Sequence, residues 1–198
     1  MIEFWNERYG KSMYHYGKAP NVFFAQQLGQ IPKGKILLPA EGEGRNAVYA
    51  AIKGWEVKAF DYSEEGRKKA LALAENYDVV LDYELIEASQ FHSTNAYNVI
   101  AMIFAHFADN ERMGVCKKLE SMLAPGGYLI MEVFSKNQLG RESGGPKDLD
   151  LLYSKEEVKA MFPTLDFVIL EEAKVELDEG ATHQGDAAVI RAMAQKRE

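Results

Sequence analysis

Two glycines and an aspartate are the residues best suited to hold a ligand. Gly42 and Gly44 lie in Ala40-Glu41-Gly42-Glu43-Gly44, between a short apolar run at 35–38 and a helical composition at 45–53. Glycines at a strand-to-helix turn let a ligand approach the backbone closely. With Ala47 the turn also satisfies the dinucleotide pattern G-x-G-x-x-A. Asp61 ends the next apolar run, where a carboxylate can accept both hydroxyls of a ribose. NAD and an adenosyl cofactor fit these three residues equally well. Glu41 and Glu43 separate the two, because a pyrophosphate wants amide donors and little negative charge around the turn. S-adenosylmethionine carries a sulfonium and an ammonium and no phosphate, so it tolerates acids there. For Glu43, a side chain pointing to solvent is the plain alternative.

Proton-transfer chemistry would fall to histidine. His106 interrupts the apolar stretch 99–108 at its end, where a ligand would sit, and is read equally as functional or structural. His183 lies in the polar segment Gly180-Ala181-Thr182-His183-Gln184-Gly185, a setting that suits a solvated loop residue. His15 and His92 look incidental. Arg141, in the glycine-bearing loop 139–147, is either a contact for an anionic or polarisable acceptor or an exposed charge.

Strand-like and helix-like segments alternate to position these residues. Strands are expected at 35–38, 56–60, within 79–86, at 97–104 and at 128–134. Ser63 reads as the cap of a helix with Glu64 and Glu65 in its first turn. Asp109 is expected to cap the helix that Pro125-Gly126-Gly127 ends, and Ser154 with Glu157 makes a capping box. Segments 167–177 and 187–194 have no helix between them. They should pair antiparallel across a polar turn at 178–186, because a parallel crossover needs a dozen or more residues. Five βα units followed by a hairpin imply an α/β sheet with both faces covered and ligands at the strands' carboxyl ends.

Composition narrows the class further. The 198 residues fit one domain, with 47% hydrophobic and 27% charged residues, an ordinary globular balance. A formal charge of −7 and the absence of a basic cluster argue against nucleic-acid partners. Arg67-Lys68-Lys69 reads as a solvated helix face. Cys116, the single cysteine, leaves no internal disulfide and no multi-cysteine metal site, and reads as a small buried hydrophobe. No signal-peptide core and no membrane span are visible, so a cytoplasmic protein with no membrane partner is expected.

The chain resembles the class I S-adenosylmethionine-dependent methyltransferases, in particular the group around the tellurite-resistance and thiopurine methyltransferases. The resemblance rests on Phe4-Trp5-Asn6-Glu7-Arg8-Tyr9, Tyr16-Gly17 with Pro20-Asn21, 40–46, Phe60-Asp61, 123–127 and the terminal hairpin. It implies a Rossmann-like, doubly wound, mostly parallel seven-stranded sheet in order 3-2-1-4-5-7-6 with an antiparallel C-terminal hairpin. One methyltransferase domain over 1–198 is expected, with 1–30 a helical cap over the cofactor site and 31–198 the α/β core.

The resemblance also implies S-adenosylmethionine as cofactor, S-adenosylhomocysteine as product, and a small-molecule acceptor: a thiol, an oxyanion or a hydroxylated metabolite. Cofactor contacts are expected from Tyr16, Gly17, Ala40, Glu41, Gly42, Gly44, Asn46, Asp61, Tyr62, Glu87, Ala88 and Ala105, and catalytic roles from His106, His183 and Arg141. A histidine in a similar hairpin of the tellurite methyltransferases supports His183. No metal is expected, and the chain should be a monomer or homodimer. Where the family has an acid six residues before the last glycine, this chain has Leu38, followed by Pro39, and Ala40 replaces the first glycine. An NAD-linked oxidoreductase is the alternative, although no convincing Tyr-x-x-x-Lys motif accompanies the turn. A cofactor-binding module with little catalysis is another.

Overall fold

The computed structural model describes residues 2–197. Helices α1 (Ile2–Tyr9) and α2 (Val22–Leu28) precede strand β1 (Lys35–Pro39), α3 (Arg45–Ile52), β2 (Glu56–Asp61), α4 (Glu64–Asn76) and β3 (Asp82–Leu85). Then follow β4 (Tyr97–Ile103), α5 (Asp109–Ser121), β5 (Leu123–Phe134), α6 (Lys155–Met161), β6 (Leu165–Glu179) and β7 (His183–Lys196). The strands form one seven-stranded sheet in the order 3-2-1-4-5-7-6, the order expected. Strands β1 to β5 pair parallel, while β7 runs antiparallel to both β5 and β6.

Alternation along the central strands sends successive side chains to opposite faces, and each face has its own helices. Ile36, Leu38, Val99, Ala101 and Ile130 pack with Phe24 and Leu28 of α2, Ala47 and Val48 of α3, and Ala70 and Leu73 of α4. Leu37, Ile100, Met102, Leu129 and Met131 pack on the other face with Val115, Cys116 and Leu119 of α5 and Val158 and Met161 of α6. Cys116 is fully buried, as expected of a small hydrophobe.

Helix starts follow the local chemistry. The Ser63 hydroxyl accepts from Gly66 N at 3.1 Å, and Ser154 and Glu157 form both halves of the capping box. Asp109 is not a cap: Ala108 holds that position without a side-chain bond, and Asp109 opens the first turn, where the helix dipole favours an acid. Pro125-Gly126-Gly127 does not end α5, which stops at Ser121; it lies inside β5. Leu123 already pairs with Tyr97, and a register shift between Tyr97 and Val99 accommodates the segment.

The hairpin is longer than its sequence suggests. The expected turn at 178–186 shrinks to residues 180–182, and the ladder continues through Asp178↔Gln184 and Glu179↔His183. The polar residues flanking the turn belong to strands: Glu179 is buried against Asn21 and Arg45, and His183 against the rings of Tyr16, Phe104 and Phe134. Among the described residues no helix is long and apolar enough to cross a membrane.

Candidate active site

The carboxyl ends of β1, β2 and β3 form a turn cluster. Gly42 and Gly44 have φ of 59° and 85°, a region glycine enters without steric cost. A Cβ at Gly44 would lie 2.5 Å from the Ala70 Cβ, and one at Gly42 would lie 2.6 Å from the Tyr9 hydroxyl. Only glycine lets α3 and α4 close together at the first position and lets α1 settle over the turn at the second. Ala40 takes φ 51° where the related motif has glycine, so a side chain is held here in left-handed backbone.

Hydrogen bonding fixes the acids of this turn. Asp61 Oδ2 accepts from Gly42 N at 3.0 Å and Oδ1 from Ser63 N at 2.8 Å. Each oxygen keeps a further lone pair. Burial raises the Asp61 pKa to about 6 against those amides. Glu41 Oε1 accepts from Asn46 N at 2.8 Å and Ala47 N at 2.7 Å, so it caps α3; burial raises its pKa to about 7. Glu43 does not point to solvent. Its carboxylate accepts from His15 N at 2.8 Å, Tyr16 N at 3.4 Å and Lys69 Nζ at 2.8 Å, and the residue is buried. Lys69 is therefore not part of a solvated face, and Arg67 Nε donates to Tyr83 O; Lys68 alone of the three stays on the surface, paired with Glu64 and Glu65.

The other expected cofactor residues gather around this turn. Tyr83 donates its hydroxyl to Gly42 O, and Ile86 N donates to Asp61 O, which carries Glu87 and Ala88 past the end of β3. Burial, with the carboxylates of Asp61 and Glu87 nearby, pushes the Tyr62 phenol up. Ala40, Ala88 and Ala105 pack into the apolar cluster that contains Phe60 and Phe91, whose rings stack at 4.2 Å. Asn46 Oδ1 accepts from Asn21 N at 2.9 Å.

The segment between α1 and α2 straps across this end of the sheet. Glu43 and Lys69 hold one side of it. On the other side the Thr182 hydroxyl donates to His15 O at 3.0 Å, and Gly17 crosses Gly180 so closely that a Cβ on Gly180 would collide with Gly17 N. His15 is not incidental in placement: it is buried, and neither ring nitrogen has a hydrogen-bond partner among the described residues.

His183 lies under the strap. The Tyr16 ring stands 4.5 Å from the imidazole, Phe104 4.6 Å and Phe134 5.2 Å. His183 is buried in β7, not free in a loop, and burial lowers its pKa. His106 lies close by but is committed to backbone: Nδ1 is 2.7 Å from Leu151 O, and Nε2 accepts from Phe134 N at 3.5 Å. Burial lowers its pKa to about 4. Arg141 Nε donates to Asn137 O at the surface, and among the described residues no contact brings it to the histidines. The loop does reach His183 through Gly144, where a Cβ would meet the imidazole Cδ2 at 2.6 Å.

A buried polar network here was not anticipated from the sequence. Asn21 Nδ2 donates to Glu132 Oε1 at 2.6 Å and to Glu179 Oε1 at 2.8 Å, while Arg45 Nη2 donates to Glu179 Oε2 at 2.7 Å. Glu132 also pairs with Arg191. The only sequence signal was Glu132 itself, a lone carboxylate in an apolar run, which must find partners when buried.

The family model for the tellurite resistance protein TehB matches residues 3–193. The chain belongs to the TehB family. No curated protein matches the sequence. Among solved structures, TehB from Haemophilus influenzae is 16% identical with a TM-score of 0.75, covering 99% of this chain and 67% of that one. The N-methyltransferase NodS from Bradyrhizobium japonicum, in complex with S-adenosyl-L-homocysteine, is 12% identical with a TM-score of 0.74, covering 100% and 98%. A protein solved in connection with conversion of a disulfide bond into a thioacetal group during echinomycin biosynthesis is 14% identical with a TM-score of 0.81, covering 100% and 92%. The fold is that of the class I methyltransferases.

Proposed function

We propose that this TehB-family protein transfers a methyl group from S-adenosylmethionine to a small-molecule acceptor such as a thiol, an oxyanion or a hydroxylated metabolite. One observation carries the choice of cofactor. The amides that would receive a pyrophosphate are already taken: Asn46 N and Ala47 N donate to Glu41, and Gly42 N donates to Asp61. A dinucleotide would meet two carboxylates and few free donors, whereas a phosphate-free donor with positive groups is tolerated. Asp61 retains acceptor capacity for a ribose diol. The residues therefore fit an adenosyl donor.

When bound, S-adenosylmethionine supplies an electrophilic methyl group on its sulfonium. In this reading Asp61 holds the ribose hydroxyls, while Ala40, Gly42, Gly44, Tyr62, Glu87, Ala88 and Ala105 border the nucleoside and methionine parts. The cap formed by residues 1–30, through Tyr16 and Gly17, excludes water from the ligand side and so strengthens electrostatic contacts there. His183 accepts the acceptor's proton where the acceptor arrives protonated, because its lowered pKa keeps the imidazole neutral at pH 7. His106 holds the loop through its bond to Leu151 O, and in this reading Arg141 would contact acceptor charge from its loop.

Incubation with isotope-labelled donor and a panel of thiols, oxyanions and hydroxylated metabolites, scored by product mass, tests this reading. A methylated product is expected from at least one class. Donor binding without transfer to any class would favour the binding-module alternative.

A further inference from the structure

Glu179 and His183 face each other across the three-residue turn of the β6–β7 hairpin. Their side chains share a buried face, with Glu179 Oε2 3.7 Å from His183 Nδ1. Nδ1 has no hydrogen-bond partner among the described residues, and this carboxylate faces it. It is also rigidly held: Arg45 Nη2 donates to Oε2 and Asn21 Nδ2 to Oε1. Two of its roughly four lone-pair sites remain. An imidazole lone pair turned toward a fixed carboxylate is repelled, whereas an N–H is attracted.

We propose that Glu179 is a positioning residue that holds the His183 imidazole in its Nδ1–H tautomer, leaving the Nε2 lone pair as the base. The inference rests on the reading of His183 as proton acceptor. Gly144 supports it from the other side of the ring. A Cβ there would lie 3.3 Å from Nε2, so glycine keeps that nitrogen uncovered. The charged groups around His183 are Glu179 on β6, Arg45 on α3 and Arg8 on α1, and the neutral titratable ones are the Tyr16 phenol of the strap and His106 after β4. Burial opposes ionisation of Glu179, but His183 and Arg45 hold its pKa down at about 2, so the carboxylate is charged throughout the working range.

Histidine-selective ¹⁵N labelling and long-range ¹H–¹⁵N NMR of the unaltered protein read the tautomer directly, with His183→Ala assigning the signal. Nδ1 protonated and Nε2 bare is the expected result; the reverse overturns the proposal. Glu179→Gln should lower kcat by about tenfold or more, with KM and donor affinity within about threefold. It should also move the acid limb to lower pH, since the negative charge that favours imidazolium is gone, and Glu179→Asp should restore part of the rate. If His183→Ala impairs turnover while Glu179→Gln keeps full kcat and an unshifted limb, Glu179 is merely structural. If His183→Ala turns over normally, the reading of His183 as base fails first. The NMR measurement stands even if the Glu179 variants fold poorly.

Discussion

Asp61 concentrates the chemistry of the turn on one carboxylate, which braces Gly42 and Ser63 while keeping lone pairs for a ligand. Replacing it with Ala is expected to weaken donor binding by about 1.5–3 kcal/mol, the scale of hydrogen bonds to a charged group. Calorimetric titration of the folded variant measures this, and unchanged affinity would place the ribose elsewhere. Because the Asp61 pKa is raised to about 6, donor affinity should also fall as pH drops through that value and the acceptor oxygens protonate. On the acceptor side, His183→Ala should impair turnover and leave donor affinity largely intact; equal loss of both would show a collapsed site. The turn residues were legible in the sequence because a strand, two glycines and a following acid form a local pattern. The Asn21–Glu132–Glu179–Arg45 network was not, since its members come from four distant segments and nothing local announces their pairing. The choice for Glu43 between turn and solvent stayed open in the sequence for the same reason: its partners are His15, Tyr16 and Lys69.

The strap between α1 and α2 is held at the level of elements by the Glu43 carboxylate, by Lys69, by the Thr182 hydroxyl and by the Gly17–Gly180 crossing. Gly180 has φ 72°, and a Cβ there would also lie 2.5 Å from His15 O. Gly180→Ala is expected to destabilise the protein by about 1–3 kcal/mol through backbone strain and displacement of the strap. Denaturant unfolding gives the stability change, and limited proteolysis should reveal earlier cleavage within residues 10–20. Wild-type stability with an unchanged cleavage pattern would show that the strap does not rest on the hairpin. Helix caps at Ser63 and Ser154 could be read from sequence because capping needs only neighbouring residues. The ends of β6 and β7 could not. Polar residues at 178–179 and 183–186 suggest a turn, yet they continue the ladder, and its end is buried by Asn21 and Arg45 on Glu179 and by the rings around His183.

At the scale of the whole molecule, alternating segments revealed the layered α/β plan, while the full strand order came from family resemblance. Periodicity alone cannot rank parallel strands within a sheet. Stability should carry the mark of buried groups that titrate between about pH 4 and pH 7. His106, with its pKa lowered from 6.5 to about 4, contributes stability that is intact above 6.5 and lost as pH falls toward 4. Glu41 and Asp61 act in the opposite sense, since their raised pKa values make stability fall as pH rises through about 7 and about 6. Comparison with His106→Gln isolates the histidine: wild type should lose about 2–3 kcal/mol relative to the variant between pH 7 and pH 4. Parallel pH profiles would show that His106 titrates normally.

In the proposed function the acidic glycine turn selects a phosphate-free adenosyl donor. Calorimetric titration of the unaltered protein with S-adenosylhomocysteine and, separately, with NAD tests it most directly. Saturable binding of S-adenosylhomocysteine and no binding of NAD is the predicted result; tight binding of NAD with no response to S-adenosylhomocysteine or S-adenosylmethionine would contradict it.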